Sequence, residues 1–244
     1  MTPGGGTTGP LRPGTDRTRG NIMLTLRREL SFYGQELLRT GLTSAAGGNM
    51  SARQGNTVLV SPSGVSLAEI SPRDWIAVDL AHGATRRPLR RNVRPTCEIT
   101  LHLGCYLERQ DAQAVMHTHQ ILATALATAG VSFKALFPDF VAMLGHEVPT
   151  IDYVIPAGKG IRDAVTARLK KGANVVILKN HGVLAVGANL KEACFRLQLL
   201  EDAARFMHTI LSAGKKIRYL SSAQMKAIDR LEAEDYRKLL LKRK

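Results

Sequence analysis

Val175-Val176-Ile177-Leu178-Lys179-Asn180-His181-Gly182-Val183-Leu184-Ala185-Val186 is the stretch that decides the fold. Two apolar runs of strand length flank the polar Lys179-Asn180-His181. Parallel strands need a crossover of about a dozen residues, and this connection is far too short for one. The sheet is therefore expected to be largely antiparallel. The turn also ends a buried strand on a histidine. Working outward, Val115-Met116-His117-Thr118-His119 is a second short apolar run, and it delivers two histidines two positions apart. Alternation along an extended segment points both imidazoles the same way. A His-x-His pair alone is more often surface or satisfied core than a metal site. With His181 added, three imidazoles leave the fourth tetrahedral position of a zinc ion open, as catalytic zinc requires; structural sites are closed by four protein ligands.

At 244 residues and 44% hydrophobic content, the chain is long enough for one sizeable core and a single domain. No apolar run approaches bilayer-spanning length: the longest candidate, Ile121 to Phe133, is interrupted by Thr124, Thr128 and Gly130. Residues 1–20 are rich in Gly, Pro and Thr, too poor in apolar content to fold, and lack the apolar core of a signal peptide. They are expected to be a disordered leader, with residues 21–244 as one domain of a cytoplasmic protein. Cys97, Cys105 and Cys194 are odd in number and lack any C-x-x-C spacing, so reduced thiols are expected, not a disulfide framework or a thiolate zinc site.

The formal net charge of +14 raises nucleic acid as a partner. Its distribution argues otherwise. Arg12, Arg17 and Arg19 lie in the leader, Arg86, Arg87, Arg90, Arg91 and Arg94 in a polar loop, and Arg237, Lys238, Lys242, Arg243 and Lys244 in the tail. Aromatic content of 5% offers little for base stacking. The charge reads as solubilising, with a field that attracts a phosphorylated small molecule; neither a nucleic-acid nor a membrane partner is expected.

In chain order, Ile22, Leu26, Leu30, Tyr33 and Leu37 keep helical spacing from Asn21 to a stop at Gly41. Thr43 to Ser51 contains Gly47-Gly48-Asn49 and reads as a loop whose N–H groups can approach an anion. Val58–Val60 is a strand leading into the hydroxyl-rich turn Ser61-Pro62-Ser63-Gly64, and Trp75 to Leu80 is another. Arg94-Pro95-Thr96-Cys97-Glu98 opens a helix with Ile99, His102, Leu103 and Tyr106 on its inner face, Glu98 standing in the first turn where it would complement the helix dipole. A helix from Ile121 stops at Ala129-Gly130; a loop bearing Phe137-Pro138-Asp139 leads to a strand from Thr150 to Ile155; a helix follows from about Ile161 to Lys171. Asn189 caps the longest helix, which runs to Gly214, and a final helix from about Ser222 to Leu240 carries Tyr236.

Five stretches, Gly47-Gly48-Asn49-Met50-Ser51, Ser61-Pro62-Ser63-Gly64, Pro95-Thr96-Cys97-Glu98 with His102 beyond it, His117-Thr118-His119 and Lys179-Asn180-His181-Gly182, stand in the order and spacing of the class II aldolase/adducin family. The chain resembles that family over about residues 24 to 240, most of all its L-fuculose-phosphate aldolase branch. The resemblance implies a three-layer α/β/α sandwich around a mostly antiparallel sheet, assembled as a homotetramer with sites between subunits. It implies that His117, His119 and His181 hold Zn2+, or another divalent ion, and that Asn49, Ser63, Gly64, Thr96 and Cys97 bind the substrate phosphate. Glu98 matches the catalytic acid/base and Tyr236 the proton donor to the aldehyde oxygen. The implied reaction is reversible cleavage of a ketose 1-phosphate to dihydroxyacetone phosphate and an aldehyde through a metal-stabilised enediolate. Two departures stand out: Thr96-Cys97 replaces a Ser-Ser pair, and Pro138-Asp139 falls where the aldolase has a tyrosine. Epimerase-like members carry Asp where this chain has Glu98, which favours the aldolase. A 4-epimerase, a dehydratase, a decarboxylase and a non-catalytic oligomerisation module like the adducin head remain the alternatives on the same scaffold.

Overall fold

A computed structural model describes residues 15–89, 91–234, 236 and 239. The leader up to residue 14, Arg90 and the basic tail lie outside the described residues.

α1 (Thr15–Arg39) is the first element among the described residues; it takes in residues 15–20, expected to be disordered leader, and ends ahead of Gly41, whose φ of 71° is left-handed. β1 (Asn49–Gln54) and β2 (Thr57–Val60) form an antiparallel hairpin, extended by β3 (Ile76–Asp79) after a 3-10 turn at Leu67–Glu69. Then follow α2 (Ile99–Glu108), β4 (Ala114–Thr118), α3 (Ile121–Thr128), β5 (Phe133–Lys134), α4 (Pro138–Leu144), β6 (Glu147–Val148), β7 (Thr150–Ile151) and α5 (Lys159–Leu169). β8 (Val175–Leu178), β9 (Gly182–Gly187), α6 (Leu190–Ser212) and α7 (Ser222–Ile228) complete the order.

The main sheet runs β3-β2-β1-β4-β9-β8-β7, antiparallel throughout except for the β7–β8 pair. Strand alternation sends successive side chains to opposite faces and so builds two cores. Met50, Ala52, Ala114, Met116, Ile177, Val183 and Ala185 pack against α1, α3, α4 and α6. Val58, Val60, Val115, Val176, Leu184 and Val186 pack against α2 and α5. The result is the three-layer sandwich that the resemblance implied, with the expected antiparallel β8–β9 pair near its centre. Each fully buried aliphatic chain contributes on the order of 2 kcal/mol to holding the layers together.

Several elements differ from the sequence expectation. Asn49, read as loop, begins β1. Pro138, read in a loop, occupies the first turn of α4, where its fixed φ and missing N–H are no handicap, and Phe140, Val141, Met143 and Leu144 are buried beneath it. The strand expected to reach Ile155 stops at Ile151; beyond it Tyr153 and Ile155 are exposed. Glu98 is the residue before α2, at φ −93° and ψ 18°, with no side-chain cap bond, so it does not sit in the first helical turn. α1, with 25 residues, exceeds the 23 of α6, although Asn189 does cap the latter by accepting from Glu192 N. The final helix breaks at Asp229, whose carboxylate lies 2.7 Å from His146 Nε2, and helical backbone resumes at Glu232.

Candidate metal centre and active site

The centre forms where β4 ends and β9 begins. His117 is fully buried at the end of β4, on the face that carries Val115 and packs against α2. Its Nδ1 lies 3.0 Å from Val183 O. A carbonyl only accepts, so Nδ1 carries the proton and Nε2 is left with a lone pair facing the centre. Asn180 turns the chain between β8 and β9 with φ 57°, a left-handed conformation that asparagine tolerates, and its N–H donates to Thr128 Oγ1 at 3.0 Å. This turn brings His181 Nε2 to 3.2 Å from His117 Nε2. His119, one residue past the strand, is the exposed member, and the donor atoms of all three rings lie within 4.8 Å of one another.

Two glycines permit this crowding. A Cβ on Gly182 would lie 2.2 Å from Thr118 O and 3.1 Å from carbon atoms of both the His117 and His119 rings. A Cβ on Gly48, at φ 74°, would lie 2.6 Å from His117 O. Behind the centre, α6 supports the chain that leaves it: Glu201 accepts from the N–H groups of Leu122 and Ala123 at 3.0 and 3.1 Å, filling the N-terminus of α3.

Glu98 completes the cluster and is 3% exposed. Its Oε2 is 3.4 Å from His117 Nε2 and its Oε1 3.9 Å from His181 Nε2. Asn49 Nδ2 donates to Oε2 at 2.8 Å, whereas Oε1 has no hydrogen-bond partner among the described residues. Burial works against the charge on Glu98, yet its carboxyl stays below the usual carboxylate range because His117, the Asn49 amide, His181 and His102 all face it. Burial pushes the imidazolium forms down: His117 to about 3 and His102 to about 4, with Glu98 opposing in both cases; His119 is lowered by burial and by His181. Burial thus favours the neutral ring at His117 and His102, and neutral imidazole is the state that binds metal.

The two small-residue turns lie side by side. Ser63 N donates to Arg94 O and Thr96 N to Ser61 O, both at 2.9 Å, and Pro62 bridges Pro95. Ser63, Gly64 and Cys97 are exposed on this rim, and Gly64 has φ 74°. Thr96 is buried, with its hydroxyl 3.3 Å from Glu98 N.

A family model described as Class II Aldolase and Adducin N-terminal domain matches residues 28–208. The chain belongs to the class II aldolase and adducin family. Among its relatives, the L-fuculose phosphate aldolase of Methanocaldococcus jannaschii is 29% identical over 163 residues, covering 66% of this chain and 83% of the aldolase. The 3-oxo-tetronate 4-phosphate decarboxylase of Haemophilus influenzae is 29% identical over 221 residues, covering 88% of this chain and 98% of the decarboxylase. A solved L-fuculose 1-phosphate aldolase superposes with a TM-score of 0.76 at 29% identity, covering 87% of this chain and 96% of that one.

The donor set of this class II aldolase family member fits a divalent ion that accepts nitrogen ligands. A tetrahedral zinc with bonds of about 2.0–2.1 Å holds neighbouring donors about 3.3 Å apart. His117 and His181 already meet that spacing, their two Nε2 atoms lying 3.2 Å apart. The exposed His119 ring has to close by on the order of 1 Å to join them. Of the residues singled out in the sequence, the three histidines, Glu98 and Asn49 converge, while Ser63, Gly64, Thr96 and Cys97 share the neighbouring rim. Tyr236 does not join them: it is 61% exposed, and among the described residues no hydrogen bond links it to the cluster. The side chain of Asn49 is spent on Glu98 and His102, and its backbone pairs with His117 in the sheet. The sequence placed Ser51 and His102 within family-like stretches and His102 and Tyr106 on an inner helix face, but assigned none of the three a role. The spacing of Glu98 and His102, four apart at a helix start, and of Asn49 and Ser51, two apart on a strand, was the available signal.

Proposed function

We propose that the chain is a metal-dependent lyase of phosphorylated sugars, an aldolase that reversibly cleaves a ketose 1-phosphate to dihydroxyacetone phosphate and an aldehyde. The observation that carries this reading is Glu98: one carboxylate oxygen is fixed by Asn49, and the other is buried, without a hydrogen bond among the described residues, and beside an all-histidine donor set. Zn2+ held by His117, His119 and His181 would supply Lewis-acid polarisation of the substrate oxygens. In the condensation direction, Glu98 Oε1 takes a proton from the hydroxymethyl carbon of dihydroxyacetone phosphate. The electron pair left behind forms the new bond to the aldehyde carbon, and the aldehyde oxygen gains a proton. Tyr236, exposed on its own chain, is the candidate donor of that proton to the site of a neighbouring copy in a homotetramer. Asn49, Ser63, Gly64, Thr96 and Cys97 line the phosphate end, where the net positive charge of the chain favours the anion. A cytoplasmic setting suits a phosphorylated substrate and three reduced thiols; no helix among the described residues is long and apolar enough to cross a membrane.

Decarboxylation is the second reading, favoured by the near full-length match to the Haemophilus decarboxylase. The same carboxylate and donor set would serve it, because loss of carbon dioxide from a 3-oxo acid also leaves an electron pair beside a carbonyl. One experiment separates the two: zinc-loaded protein is incubated with a panel of ketose 1-phosphates and a phosphorylated 3-oxo sugar acid, and products are identified by mass. Dihydroxyacetone phosphate that disappears on chelation supports the aldolase. Carbon dioxide release without carbon–carbon cleavage of any ketose overturns it in favour of the decarboxylase, and turnover of neither class removes both.

A further inference from the structure

Behind Glu98 runs a buried chain of polar side chains that the proposed proton transfer does not itself use. Asn49 and Ser51 stand two apart on β1, opposite His117 and Val115 of β4, so both face α2. There Asn49 Oδ1 lies 2.5 Å from His102 Nε2, His102 Nδ1 lies 2.7 Å from Ser51 Oγ, and Ser51 Oγ lies 2.8 Å from Tyr106 Oη. Ser51, His102 and Tyr106 are completely buried.

The direction of every bond follows from its acceptor. The Glu98 carboxylate can only accept, so Asn49 must turn its Nδ2 toward Oε2. That leaves Oδ1, also only an acceptor, against His102, whose Nε2 must then carry the ring proton. A neutral ring protonated at Nε2 has a bare Nδ1, which takes the Ser51 hydroxyl proton, and the Ser51 oxygen is free to accept from Tyr106. Burial keeps the His102 ring neutral, since it takes a second proton only near pH 4.

We infer that Tyr106, Ser51 and His102 form a one-way hydrogen-bond relay that fixes the Asn49 amide, and through it the orientation of Glu98, so that Oε1 alone is presented to the reacting carbon. These are positioning residues: none of them touches the histidine cluster. Were the relay cut at Ser51, His102 could carry its proton on Nδ1, Asn49 would reverse its amide to pair with the bare Nε2, and an amide oxygen would face a carboxylate oxygen. The carboxylate would then rotate away from its working position. An arrangement of bonds all polarised one way also strengthens each member.

The inference rests on Glu98 acting as the acid/base, and the test keeps the two apart. Nitrogen NMR of the ring-labelled wild-type protein reads the His102 tautomer directly, without substrate. Protonation at Nε2 is expected, and a ring protonated at Nδ1 overturns the relay. In zinc-loaded protein acting on the best ketose 1-phosphate, Ser51→Ala is expected to lower kcat by roughly 10–100-fold, the usual loss when an outer partner of a site is removed, with KM and bound metal unchanged. Wild-type kcat in Ser51→Ala, with Glu98→Gln inactive, overturns the relay and leaves the role of Glu98 standing. Wild-type kcat in Glu98→Gln overturns that role, whatever tautomer His102 adopts.

Discussion

The open oxygen of Glu98 makes the sharpest demand on a single residue. Glu98→Gln keeps the volume and the bond to Asn49 but cannot hold a proton at Oε1, so turnover should fall by about 10²–10⁴-fold with metal content unchanged. Steady-state kinetics beside metal analysis checks this; loss of metal together with activity would show instead that Glu98 holds the ion. His102 sets a second expectation. Its folded-state pKa of about 4 lies below the ordinary 6.5, so as the pH falls the unfolded chain takes up this proton first. The stability it lends is complete above about pH 6.5, declines between 6.5 and 4, and is lost below that, a change on the order of 3 kcal/mol. Urea unfolding at about pH 7 and pH 4.5 should show a smaller acid loss in His102→Gln than in wild type. Equal losses would contradict the assignment.

Among the elements, the β4–β9 pair does most to assemble the centre, because it sets two strand ends and three imidazoles against each other. Gly182→Ala places a methyl group 2.2 Å from Thr118 O, a backbone atom that cannot step aside. The strands must part, at a cost of about 1–3 kcal/mol or more, and metal affinity should fall with stability. A variant with wild-type melting temperature and metal affinity would refute this. On the other layer, Glu201→Ala strands the Leu122 and Ala123 N–H groups at the start of α3 and should cost about 1–3 kcal/mol, with Glu201→Gln, which keeps an acceptor, nearer wild type in urea unfolding. The same physics explains what sequence could reveal. β8 and β9 are continuous apolar runs because both their faces are covered, and α6 is strictly periodic behind a visible Asn189 cap. β1 does alternate, Met50 and Ala52 against Asn49 and Ser51, but it follows Gly47-Gly48 directly and its α2-facing positions are turn-favouring polar residues that serve the network behind Glu98, so its start read as loop. α4 was hidden by its own Pro138, a residue that reads as a breaker everywhere except in a first helical turn.

Across the whole molecule, the centre draws on all three layers: strand ends from the sheet, Glu98 from the start of α2 on one side, and the chain leading from His119 into α3, held by α6, on the other. The histidines were visible as a set because each ends an apolar run. Their convergence was not, since it depends on β9 pairing beside β4 and on the left-handed turn at Asn180. Cys97 and the exposed rim shared by Ser63 and Gly64 were recognised through family resemblance, and no local pattern placed them beside one another. Because the folded protein gathers donors that lie far apart in the unfolded chain, a bound ion stabilises the fold, by about 2.7 kcal/mol at a free concentration a hundredfold above Kd. The most direct test is metal content after equilibration with zinc and removal of excess, in wild type and in His181→Ala. About one ion per chain is expected in wild type, with tight binding lost in the variant and a melting temperature that drops on chelation only in wild type. Wild-type protein that retains no ion, or His181→Ala that retains as much as wild type, would contradict this expectation.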